Sequence, residues 1–89
     1  MNPQYEILFR KQARKQLMEI PEPYRRRISE HIDALKRNPR PSGVEKIHGF
    51  EDHYRIRIGV YRVVYMIKNY KLIIEVIRVG SRKDIYRRF

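Results

Sequence analysis

Residues 54–65, Tyr-Arg-Ile-Arg-Ile-Gly-Val-Tyr-Arg-Val-Val-Tyr, constrain the fold more than any other stretch of this chain. Tyr54, Ile56 and Ile58 alternate with Arg55 and Arg57, and a strand sends successive side chains to opposite faces. One face is apolar and belongs on a core. The other carries two guanidinium groups roughly 6–7 Å apart. After a tight turn a second strand begins at Tyr61. The alternation of Tyr61, Val63, Tyr65 and Ile67 puts Arg62 on the face opposite to them. Arginines fixed on a sheet suit a surface that grips phosphate in a set geometry, because the guanidinium fork matches phosphate oxygens in pairs.

The flanking segments supply the rest of a small α+β domain. Tyr5, Ile7 and Phe9 alternate, which predicts a first strand. Ala13, Leu17 and Ile20 form the apolar stripe of a helix over 10–20, with Arg10, Lys11, Arg14 and Lys15 towards water. Pro21 and Pro23 interrupt, and Pro23 suits the first residue of a second helix. Tyr24, Ile28, Ile32 and Leu35 carry that helix to about Arg37, where Asn38-Pro39 stops it. A helical hairpin covering one face of the sheet follows. Gly49 marks a turn. Strands are predicted at Tyr54–Ile58, Tyr61–Lys68 and Lys71–Val79, the last one central, with Asn69-Tyr70 as a hairpin turn. The expected architecture is one domain over 1–89: an N-terminal strand and a helical hairpin packed on a mainly antiparallel sheet of about four strands.

Charge narrows the partners. The net formal charge is +11, and residues 53–89 hold 10 basic against 2 acidic side chains, whereas residues 1–52 hold 11 against 8. The excess therefore sits in the sheet-forming half and favours a polyanion. Cysteine is absent, which excludes disulfides and thiolate metal sites and is compatible with the reducing cytoplasm. No apolar run approaches the roughly 20 residues that span a bilayer, and the N-terminus lacks a signal-peptide pattern. The expectation is a soluble, cytoplasmic protein without membrane contact. The three histidines have no metal-ligand spacing, so neither metal nor other cofactor is expected.

The order of these elements resembles the RelE/ParE superfamily of bacterial and archaeal toxins. The resemblance is carried by Lys46-Ile47-His48-Gly49, by the stretch 54–65, and by Val79-Gly80-Ser81-Arg82-Lys83-Asp84-Ile85-Tyr86, which is similar to a Gly-His-Arg-Lys-Asp-Val-Tyr ending. It implies a toxin of a type II toxin–antitoxin system. A RelE-type member is a ribosome-dependent endoribonuclease that cuts messenger RNA in the A-site codon. A ParE-type member poisons DNA gyrase instead, and other relatives only bind nucleic acid or antitoxin. The implied partners are a RelB-like antitoxin, the ribosome and its messenger, with operator DNA reached only through the antitoxin complex.

The RelE-type reaction is attack of a ribose 2′-OH on the adjacent phosphate, giving a 2′,3′-cyclic phosphate and a free 5′-OH. It needs a base, positive charge on the developing pentacovalent phosphate, and a donor for the leaving oxygen. By resemblance the catalytic set is Arg55, Arg57, Arg62, Arg82 and Tyr86, with Arg55, Arg57, Lys83, Arg87 and Arg88 binding RNA. Arg55 and Arg57 stand where relatives often carry lysine, and arginine stays protonated at working pH, so neither is a base. Arg62 is the leading contact to the scissile phosphate. An ion pair with Glu75 is its structural alternative. Arg82 opposes charge on the leaving oxygen. Tyr86 serves as base or as a stacking platform, since nearby guanidiniums favour a phenolate. His48 and His53, just before the motif, are the other candidates for the base. His31 is assigned a structural place on the second helix.

Overall fold

A computed structural model describes residues 4–81. Residues 82–89, and with them the candidates Arg82, Lys83, Tyr86, Arg87 and Arg88, lie outside the described residues. The order is β1 (Glu6–Phe9), α1 (Lys11–Met18), α2 (Tyr24–Ala34), β2 (Glu45–Lys46), β3 (His53–Ile58), β4 (Tyr61–Lys68) and β5 (Ile73–Ser81). The sheet order is β1-β5-β4-β3-β2. β1 runs parallel to β5, and every other neighbouring pair is antiparallel.

Three expectations need correction. The sheet has five strands rather than about four, because Glu45 and Lys46 pair with Arg55 and Tyr54. Two residues without apolar alternation leave no periodic signal. Pro23 lies one residue before α2 rather than inside it. Asn69-Tyr70 does not make a two-residue hairpin. A 3-10 turn at Asn69–Lys71 is followed by Leu72 at φ 54, so the left-handed residue needed to reverse the chain comes later. As expected, the helices cover one face of the sheet, α1 against β5 and α2 against β3.

The apolar stripes read from the sequence build the core. Ala13, Leu17, Ile20, Ile28, Ile32 and Leu35 meet Tyr54, Ile56, Ile58, Val63, Tyr65, Ile67, Ile74, Val76 and Val79. All of these lie on the helix-facing side of the sheet. The opposite side holds a small second cluster, Val64 and Ile77 with Ile47 and Met66 against them. A β-bulge explains that cluster. Val64 pairs with Arg78 but Tyr65 pairs with Val76, so Ile77 is the extra residue. Inward-facing residues on β5 accordingly shift from Ile74 and Val76 to Val79. Among the described residues, no helix is long and apolar enough to cross a membrane.

The turn between β3 and β4 fixes the register of the arginines. Gly59 has φ 63, and Val60 is not left-handed, the pattern of a II′ hairpin turn. A Cβ at Gly59 would meet nothing within 4 Å, so a substitution there feels only the backbone. Gly59→Ala is expected to cost about 1 kcal/mol, a loss of roughly 4–8 °C in melting temperature.

Candidate functional site

The face of the sheet away from the helices gathers the basic side chains. Cross-strand partners point to the same side. Arg57 is paired with Arg62, and Arg62 with Gly80 on its other flank. Two residues further along, Val64 lies between Arg55 and Arg78. Three arginines expected from sequence, at 55, 57 and 62, therefore share one face, and Arg78 joins them.

Arg57 and Arg62 form the central pair. Ile58 and Tyr61 flank the turn, so Arg57 and Arg62 occupy the next, non-hydrogen-bonded position, with Cα atoms about 4.5 Å apart. Like charges directly opposite each other destabilise a sheet. Arg57 is exposed, and its Nε donates a long 3.4 Å bond to the Gly59 carbonyl. Arg62 is 7% exposed, yet among the described residues its guanidinium has no hydrogen bond and no ion pair. A buried cation without a counter-charge costs several kcal/mol (about 3–5 when a partner is removed). That cost is relieved by an anion entering from the open side.

The ion pair with Glu75 considered for Arg62 is not formed. Glu75 sits opposite Met66 and takes Arg10 Nε at 3.4 Å and Lys68 Nζ at 3.7 Å. Arg55 is already engaged, with Nη2 3.2 Å from Glu45 Oε1 on the edge strand β2. Its charge at the site is thereby partly offset, which ranks it below Arg62 and Arg57 as a phosphate ligand.

The histidines separate from the central pair. His53 faces Met66, four residues along β4 from Arg62, or roughly 13 Å. Its Nδ1 lies 2.6 Å from the Glu51 carbonyl oxygen, an acceptor, so Nδ1 carries the proton in that bond. His48 is exposed in the loop between β2 and β3. His31 is exposed on α2 and bonds the Arg27 carbonyl through Nδ1 at 2.9 Å. None of the three reaches the Arg57–Arg62 pair by strand register or local contact.

Two positioning residues were missed in the sequence reading. Gln16, on α1, accepts the Val79 N–H through Oε1 at 2.9 Å. β1 stops at Phe9, opposite Val76, so the outer edge of β5 beyond that point needs another acceptor. Gln16 supplies it and holds β5 where Gly80 comes opposite Arg62. Tyr65 donates from its hydroxyl to the Pro39 carbonyl at 2.7 Å and stacks on Tyr54 with centroids 6.0 Å apart. Arg40 donates to the Tyr54 hydroxyl at 3.1 Å, and this bond holds the Arg40 pKa above its usual value. Together they bind the loop after α2 under β3 and β4, beneath the arginine face.

The chain matches the family described as the ParE toxin of the type II toxin–antitoxin system parDE, over residues 7–86. It is 33% identical to toxin RelE3 of Methanocaldococcus jannaschii, over 94% of this chain and 98% of that one. The RelE–RelB complex of Pyrococcus horikoshii contains a similar chain, with a TM-score of 0.79 and 32% identity over 89% of this chain and 96% of that one. The isolated RelE toxin of Escherichia coli superposes with a TM-score of 0.78 and 27% identity, covering 92% of this chain and 90% of that one. By this match along nearly its whole length, the protein belongs to the RelE/ParE superfamily and is a RelE-like toxin of a type II toxin–antitoxin system.

Proposed function

We propose that this toxin is a ribosome-dependent endoribonuclease that cuts messenger RNA in the A-site codon and so arrests translation. The observation that carries the reading is Arg62: buried, opposite a second arginine, and without an anionic partner among the described residues. A phosphodiester entering over β3 and β4 meets both guanidiniums at once. The 2′-oxygen forms a bond to phosphorus, its proton passes to a base, and the bond to the 5′-oxygen breaks. The products are a 2′,3′-cyclic phosphate and a 5′-hydroxyl. Arg62 and Arg57 stabilise the added negative charge on the equatorial oxygens. Arg55 guides the neighbouring backbone. The resemblance assigns Tyr86 as base or stacking platform and Arg82 as donor to the leaving oxygen. The roughly 13 Å between His53 and Arg62 weighs against His53 as that base.

In the same reading, a RelB-like antitoxin restrains the toxin in the cytoplasm, and operator DNA is contacted through that complex. The RelE–RelB complexes of relatives support the partner. The alternative is gyrase poisoning, the activity implied for ParE-type members of the superfamily. A purified translation reaction separates the two. Added toxin should yield 5′ ends phased with codons, mapped by primer extension. Intact messenger together with gyrase-linked DNA breaks would establish the alternative.

A further inference from the structure

We propose a second nucleotide subsite on the same sheet face, in the pocket bounded by Arg10, Gln12, Phe50, His53, Ile77 and Arg78. It rests on the reading that the Arg57–Arg62 pair binds an RNA phosphate. It takes the base and phosphate of a neighbouring nucleotide in the same single strand.

The bulge creates the subsite. By inserting Ile77, it puts an apolar residue on the open face beside Val64 and Met66 and turns Arg78 to the position opposite Val64. The result is a covered apolar base, with Val64 2% and Ile77 6% exposed, and a cation beside it. Arg78 is partly exposed and, among the described residues, makes no hydrogen bond or ion pair. Glu75, the acidic residue three positions earlier on β5, is held by Arg10 and Lys68, so its repulsion of an incoming phosphate is offset. Phe50 is 42% exposed at the rim, with its ring tilted against His53 at 5.7 Å between centroids. An accessible aromatic ring beside arginine is the arrangement on which unpaired bases stack. The cavity is about 200 Å³. That is below the roughly 300–1,000 Å³ of pockets enclosing a drug-sized ligand, and fits one planar group rather than a folded partner.

Spacing supports continuity with the central pair. Arg62 and Arg78 lie on adjacent strands, two positions apart in register. Neighbouring strands are about 4.8 Å apart, and two residues rise about 6.8 Å, so their Cα atoms are separated by roughly 8 Å. Flexible side chains can bring two such guanidiniums onto successive phosphates of an extended strand.

The test uses the full chain and a 2′-O-methyl trinucleotide, which binds but cannot be cut. Amide shifts at Phe50, His53, Ile77 and Arg78 are followed by NMR, and affinity is measured against salt concentration. In wild type, both the pocket and the Arg57–Arg62 hairpin should shift. Arg78→Ala should remove the pocket shifts, spare those of the hairpin, and lower the log–log salt slope by about 0.7, one phosphate contact to a single strand. Arg78→Lys should retain the slope. Phe50→Ala should weaken binding roughly fivefold or more. Hairpin shifts with a silent pocket, or pocket shifts that survive Arg78→Ala, overturn the subsite. Pocket and hairpin shifts without codon-phased cutting in translation would sustain the subsite and defeat only the nuclease reading.

Discussion

If the proposed nuclease reading holds, Arg62→Met should lose codon-phased cleavage by a factor of about 10²–10³ and melt no lower than wild type. The two halves of this outcome come from one fact. Arg62 is buried opposite Arg57, and no anion among the described residues offsets its charge. Methionine has a similar reach and no charge, and replacing buried ionic groups by apolar ones of similar volume is often neutral or stabilising, by about 1–4 kcal/mol. It also removes the Arg57–Arg62 repulsion. In the proposed cleavage transition state the sign reverses, because the phosphate would gain charge beside that side chain. Arg62→Lys should keep part of the activity, having charge but no planar fork. Arg57→Ala, at an exposed position, should reduce cleavage less and, because it removes the same repulsion, melt no lower than wild type. Thermal melts and primer extension on the same preparations check the set. Unchanged cutting by Arg62→Met, with a lower melting temperature, would assign the arginine to structure alone.

How much of this was readable in the chain depends on whether a single strand or a pair of strands decides it. Alternation within β3 and β4 fixed both faces, the turn between them, and the shared side of Arg55, Arg57 and Arg62. The helical stripes named six core residues that the structure buries. What escaped needs two elements at once. Arg78 was passed over because β5 reads as one apolar strand, although the consecutive pair Val76-Ile77 before it is the trace of a bulge. The burial of Arg62 depends on β5 crossing beside it, which periodicity on β4 does not reveal. Glu75 looked available to Arg62 until the register set it opposite Met66. Gln16 lies on the buried stripe of α1, three residues after Ala13 and four before Ile20, but as one polar residue in that stripe it names no partner, and its bond to Val79 follows from where β1 stops. The two-residue β2 has no pattern of its own, yet its Glu45 engages Arg55.

Tyr65→Ala is the substitution expected to unfold the protein most readily. Tyr65 is fully buried, stacks on Tyr54, and holds the Pro39 carbonyl through its hydroxyl. Removing the ring leaves a large void between the sheet and the loop after α2, at a cost of about 3–5 kcal/mol. Small domains are stable by about 5–15 kcal/mol in total, so the variant should be largely unfolded near its parent's melting temperature. Tyr65→Phe isolates the hydroxyl: the ring stays, the Pro39 carbonyl loses its donor, and about 1–2 kcal/mol is lost. Burial also holds the Tyr65 phenol protonated well above its ordinary pKa. Below pH about 10 both folded and unfolded chains keep that proton, and Tyr65 adds no pH dependence. Above it the unfolded chain releases the proton while the folded chain retains it. Stability therefore falls as pH rises from the ordinary value towards the raised one, by about 1.4 kcal/mol per unit. Urea titrations between pH 8 and 11 should show this decline in wild type and a shallower one in Tyr65→Phe. Parallel declines would mean that Tyr65 ionises freely in the folded state and that its hydroxyl does not hold the loop.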